Sequence, residues 1–208
     1  MQTPARADPP YVPIRHTGWA TQKTPRWLLV AGLLVLVVAV LVGLAVHPSR
    51  SQRAGDMNGF LTDMKTDIQS CAGGVAESLT VLRAVEAGTS HDVGTALGVA
   101  TYGARNCSPA NNMQLDDLVG YQVEESLFSF RLDRATNGLL TWAFPYAQRV
   151  QNDVAAVLRA PAGGRAAATA KLHRDLAALD RQRAYVDKVM TAAITATGAT
   201  KRPPTLPG

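Results

Sequence analysis

From Met57 the chain settles into a helical rhythm. Met57, Leu61, Met64, Ile68, Cys71, Val75, Ser78, Leu82 and Val85 follow at alternating steps of four and three, and all but Ser78 are apolar or cysteine. Such a stripe belongs to a helix laid against a partner. Gly88 ends it, Ser90 is placed to cap the next helix, and Asp92 lies favourably near that helix's positive end. The spacing returns in Val93, Leu97, Ala100, Ala104 and Cys107, and Pro109 stops it.

Asn111 and Gln114 stand at capping-box spacing and open a long, interrupted helical stretch over about 113–158. Within it, Asn137-Gly138 is a possible helix end, and Pro145 must kink the helix or sit in a new first turn. Pro161-Ala162-Gly163-Gly164 reads as a turn. The last helix, about 165–197, carries Leu172, Leu176, Leu179, Val186, Met190 and Ala193 on one stripe, interrupted by Arg183. No β-branched alternation marks a strand. The pattern predicts an all-α protein whose residues 51–198 form an antiparallel helical bundle of about four helices, with 199–208 a disordered tail.

Ahead of the bundle lies a segment of another kind. Residues 27–46, WLLVAGLLVLVVAVLVGLAV, contain no charge and would span roughly 30 Å as a helix, the hydrocarbon thickness of a bilayer. Trp27, with Lys23 and Arg26 just before it, suits the membrane interface. This reads as a single N-terminal transmembrane helix, preceded by a disordered, proline-rich and basic tail at 1–26. A signal peptide cleaved after Ala45 is the alternative, but the apolar run and the leader are both long for one. Arg15, Lys23 and Arg26 on one side balance Arg50, Arg53 and Lys65 on the other, so charge does not orient the span.

The cysteines do. With helices one and two folded into a hairpin at Gly88-Thr89-Ser90, residues of equal height have numbers adding to about 178. Cys71 and Cys107 satisfy this, and so do Val85 with Val93, Leu82 with Leu97, Ser78 with Ala100 and Val75 with Ala104. A disulfide needs Cα atoms closer than packed helix axes usually come. Gly73 and Gly74 face Gly103 and Ala104 at the right height to allow it. The sequence therefore predicts a Cys71–Cys107 bridge, and an oxidising compartment with it. The N-terminus is then cytoplasmic and the bundle extracytoplasmic.

Charge changes the picture little. The net charge is +5 over 208 residues, but residues 51–208 hold 16 basic and 15 acidic side chains. The excess sits beside the apolar segment, which argues against nucleic acid. Arginine outnumbers lysine 16 to 5, a composition associated with GC-rich bacteria.

Candidate chemistry is sparse. Of the four histidines, His16 and His47 flank the apolar segment, neither His91 nor His173 has a second ligand at metal spacing, and no catalytic or cofactor motif appears. The doublets Asp116-Asp117 and Glu124-Glu125 point about 100° apart on a helix and form no dyad. Glu125 and Arg183 interrupt apolar seams, yet the register of the last two helices sets Arg183 opposite Leu140, so both belong at the rim. A possible ligand or partner patch is aromatic: Phe128, Phe130, Trp142, Phe144 and Tyr146. The string from Lys201 to Pro207, a basic-x-x-Pro-x-x-Pro match, reads as a compositional accident. The expectation is a non-enzymatic interaction or scaffold module of a bacterial envelope, needing no cofactor or metal. It would meet the lipid bilayer through 27–46, and another envelope protein or itself through the bundle. The alternative is a carrier or sensor of an apolar or haem-like ligand, with Tyr102 or His91 the only axial candidates.

Overall fold

The computed structural model describes residues 26–46 and 48–207; within the first helix, the side chains of Arg26, Leu29 and residues 41–46 fall outside that description. The leader's proline-rich stretch and His16 and His47 lie outside it as well. The described residues are all-α, without a strand, in seven α-helices. The chain divides into two units between Val46 and His47.

The first unit contains α1 (Arg26–Val46), 21 residues of almost wholly apolar sequence. Its described large side chains are exposed all round, from Leu28 at 46% to Val35 at 69%. No helix is long and apolar enough to cross a membrane on described residues alone. The described residues therefore give the transmembrane span expected from the sequence no support.

The second unit is built on α2 (Arg50–Glu86), a 37-residue helix capped by Ser49, whose side chain accepts from the Gln52 amide. Of the nine stripe residues from Met57 to Val85, eight are buried and Val85 is half-buried. Gly88 takes the left-handed φ of +69° that ends the helix, and α3 (Val93–Asn106) returns antiparallel along α2. The hairpin is tight at its deep layers, where Val75, Ala100 and Cys107 are inaccessible. It opens at the turn, where Val93 is 37% exposed.

Two caps lie beside their expected places. Asp92, not Ser90, caps α3 through the Thr95 amide. Asn112, not Asn111, caps α4 (Met113–Val119) through the Gln114 amide, and its Nδ2 donates to Asn106 O at 2.7 Å. That second bond ties the end of α3 to the start of α4 and decides between the two asparagines.

The expected bundle of about four helices is more divided than that. The stretch 113–158 is neither one kinked helix nor two. It runs as α4, a 3-10 turn at Glu125–Phe130, α5 (Leu132–Thr141), a π-helical turn at Trp142–Ala147 and α6 (Gln148–Arg159). Asn137-Gly138 does not end a helix. A Cβ on Gly138 would lie 3.0 Å from Val186 Cγ2, so this glycine lets α5 approach the last helix. Pro145 does break the path, with Phe144 extended at φ −131°, ψ 114°. The last helix, α7 (Arg165–Thr197), has the expected bounds. The expected register holds too: Gln182 Nε2 donates to Gly138 O at 3.0 Å, and Lys171 meets Asp153. Arg183 pairs with Asp180 on its own helix, and Glu125 is exposed.

The end of the chain corrects a further expectation. Residues 199–207 are not splayed, because Asn58 of α2 binds the Thr200 and Lys201 amides and Leu206, only 4% exposed, joins the core.

Adjacent glycines in α2 do different work, and substitution separates them. A Cβ on Gly73 meets nothing within 4 Å, whereas one on Gly74 would lie 3.0 Å from Gly103 Cα. Gly73→Ala is expected to stabilise the bundle by up to about 1 kcal/mol, while Gly74→Ala destabilises it by about 1–3 kcal/mol. Denaturant unfolding of the two variants measures both signs.

Candidate interaction surface

The site with the most built geometry is the crossing of α2 and α3. The sulfurs of Cys71 and Cys107 are at disulfide distance, 1.90 Å, with Cα atoms 4.7 Å apart. Gly74 and Gly103 permit this approach, as expected of the small residues beside the cysteines. What sequence reading missed is Gln151 of α6, fully buried against the same point. Its Nε2 donates to Cys107 Sγ at 2.9 Å, and its Oε1 lies 3.4 Å from Ser78 Oγ. Ser78 also donates to Gly74 O at 2.7 Å. A Cβ on Gly103 would stand 1.7 Å from Gln151 Oε1, so this glycine makes room for the glutamine. The signal was in the sequence: Ala147, Gln151, Val154 and Leu158 form an apolar stripe with one polar member.

Outside the crossing lies an open groove of about 670 Å³, lined by Gly73, Gly98, Glu77, Tyr102 and Asn106 among others. Tyr102 is 68% exposed. His91 is exposed in the loop before α3, whereas Tyr102 lies in that helix's third turn. Neither lies in an enclosed cavity fit for a haem-like group.

The five aromatic residues do not form one surface. Trp142 is wholly buried in the core, its Nε1 without a hydrogen-bond partner. Phe144 is exposed at the break in the helix, and Tyr146 is half-buried with the Arg149 guanidinium 5.9 Å from its ring centre. Phe130 is half-buried. Phe128 is 65% exposed on the 3-10 turn, beside a groove between α4 and α5. The irregular stretch that carries it is stitched to α2: Tyr121 packs edge-on to Phe60 and donates to Asp63 at 3.0 Å, and Ser126 donates to Asp56.

Two charged clusters remain. Burial, then Asp117 and Asp63, push the Asp67 carboxyl up to about 6; burial and the hydrogen bond to Asp63 hold the Tyr121 phenol above its ordinary value. Between α6 and α7, Lys171 donates to Asp153 and, at 2.8 Å, to Asp175. Asp153 is nearly buried, with Oδ2 unpartnered. Burial above all, and then its contact with Asp175, raises its carboxyl. Among the described residues no group of three or more histidine, cysteine or acidic side chains is placed to hold a metal ion. Asp116 and Asp117 sit on α4, and Asp116 occupies its first turn. No protein-family model, curated protein or solved structure matches the chain.

The Lys171 cluster has a defined pH signature. Because the folded state raises Asp153, it binds that proton more tightly than the unfolded chain does. The ionised carboxylate therefore costs stability as pH rises through the folded value, and Lys171 offsets part of that cost. Lys171→Met is expected to lower stability by roughly 1–2 kcal/mol at pH 7, discounted for the lysine's exposure. The loss should shrink as pH falls and Asp153 takes up its proton. Urea unfolding of both proteins between pH 4 and 8 reads this directly, and a pH-independent loss would contradict it.

Proposed function

We propose that the chain is a single-pass, membrane-anchored helical bundle on the outer face of a bacterial cytoplasmic membrane, working by contact with other envelope proteins and not by catalysis. The observation that carries this reading is α1. Twenty-one residues of almost unbroken apolar sequence form one helix, and every described large side chain on it is exposed. A helix apolar on all sides needs an apolar surround, and the sequence supplies the length: residues 27–46, without a charge, would match a bilayer core as a helix. The cysteine pair supports the compartment, because disulfides persist where thiols are not kept reduced. The bundle supports a role by contact: its core is filled with side chains, its charge is nearly balanced, and its grooves are open. The apolar-ligand or haem-like alternative draws no particular support, since Trp142 is sealed in the core and Phe128 and Phe144 stand apart on exposed elements.

The test is fractionation combined with topology in a bacterial host. The full chain should stay in the membrane pellet after alkaline carbonate. Alkaline phosphatase fused after Gly208 should be active, and Cys71 and Cys107 should resist alkylation at lysis. Release by carbonate would sink the anchor. An inactive fusion with both thiols alkylated would place the bundle in the cytoplasm.

A further inference from the structure

Three hydrogen bonds fix the course of the irregular stretch after α3. Ser70 Oγ donates to Gln114 Oε1 at 2.9 Å, Tyr121 donates to Asp63, and Ser126 donates to Asp56. The partners on α2 step back seven residues at a time, so 114–126 descends antiparallel to that helix, over about 21 Å. Glu125–Phe130 then turns the chain, and α5 leads it back up, with Gly138 against Val186, twelve residues before the end of α7 at Gly198. The turn therefore lies at the end of the bundle where α2 begins. Gly198 is at that end too, since a Cβ on it would lie 3.6 Å from Arg50 Nε.

This turn holds an aromatic ring outward. Leu127 and Leu132 are buried on either side and Ser126 is tied to Asp56, so the turn is pinned to the core. Phe128 between them is 65% exposed, and Ser129 and Arg131 are exposed beside it. Arg131 sits at φ +53°, among the described residues the one non-glycine side chain in the left-handed region. Glycine would take that backbone with less strain; the arginine instead puts a long cation next to the ring. Met113 and Val119, also exposed, belong to the upper part of the descent, between the levels of Ser70 and Asp63.

We infer that this end of the bundle rests on the bilayer surface, with the Phe128 ring in the boundary between headgroups and acyl chains and Arg131 and Arg50 on lipid phosphates. This deepens the reading of residues 27–46 as a membrane anchor and rests on it. Covalent length supplies the reach: from Val46 to Arg50 the chain spans at most about 14 Å even if fully extended. Whatever holds residue 46 at a membrane surface thus keeps the start of α2 close to that surface, and Phe128 shares its level. Exposed acids at this end, Glu124, Glu125 and Asp133, roughly balance Arg50, Arg131 and Arg134. The ring, not net charge, therefore carries the contact, as in interfacial segments that bury an apolar face beside basic residues.

The experiment uses the full chain in vesicles of phosphatidylcholine and phosphatidylglycerol. Cys71 and Cys107, the two cysteines of the sequence, are occupied with each other, so a thiol-directed spin label on Ser129→Cys has one target. A second labelled chain, Tyr102→Cys, serves as reference: Tyr102 is 68% exposed and adjoins Gly103, which packs on Gly74, about 36 Å up α2 from Arg50. The ratio of collisions with lipid-soluble oxygen to collisions with an aqueous nickel chelate should be several-fold higher at 129 than at 102. Adding Phe128→Asp should bring the ratio at 129 down to that at 102 with the helical spectrum unchanged, and Phe128→Leu should preserve it. A chain that floats with the vesicles after carbonate but gives equal ratios at 129 and 102 would overturn the inference and leave the anchor standing. So would a ratio at 129 indifferent to Phe128→Asp, or a label shielded from both reagents, which would mark a protein neighbour. A chain that does not float at all sinks the anchor, and this contact with it.

Discussion

The bundle is organised around one close approach, where Cys71 and Cys107 bring the backbones of α2 and α3 to a Cα separation of 4.7 Å. Helices packed through ordinary side chains keep their axes 8–10 Å apart, so this crossing demands glycine at Gly74 and Gly103. The demand propagates. Glycines leave a space beside the sulfurs, and Gln151 fills it, which fixes the height of α6. Two residues further on, Asp153 meets Lys171, and that pair fixes α6 against α7. In the chain-entropy account, closing a loop of this length contributes about 4 kcal/mol, enough to outweigh the roughly 1 kcal/mol that each mid-helix glycine costs.

Much of this was legible in the sequence because it follows from periodicity. The stripe from Met57 to Val85 is buried at eight of nine positions, and α7 occupies the expected 33 residues. Hairpin arithmetic placed Cys71 at the height of Cys107, and the same arithmetic agrees with Gln182 meeting Gly138. Long regular helices leave little freedom once their turns are known. The stretch 113–158 resisted reading because its signals serve two purposes. Gly138 looks like a helix terminator but relieves crowding by Val186, and a lone sequence cannot separate these uses. The apolar seam that Glu125 interrupts in the sequence is not one helix: α4 stops at Val119 and a 3-10 turn carries Glu125 and Phe128 outward.

The candidate site was less legible than the fold. Aromatic content drew attention to Trp142 and its neighbours, but the same composition serves a core residue such as Trp142 and exposed ones such as Phe128. The polar residues that organise the interior, Gln151 and Ser78, carry no motif. They were marked only by standing where an apolar side chain was due, and a buried glutamine in such a place must find partners. The tail was missed for a related reason: two buried residues at alternate positions, Pro204 and Leu206, are too short a pattern to separate from composition.

The tail is held more lightly than the helices it lies against. Ordering Arg202, Thr205 and Leu206 costs roughly 1–2 kcal/mol each, while the prolines between them lose less because their φ is already set. Against this stands the burial of Leu206 and Pro204, worth about 3–5 kcal/mol together. The two sides are of similar size, so the tail past Lys201 adds little net stability to the bundle beyond the core contact of Leu206. The bridge and Gln151 lie on the other side of that division, wholly buried and tied to three helices at once. The geometry of the crossing is therefore set by the stapled helices and Gln151, and the extended segment beside α2 is laid against a framework already fixed.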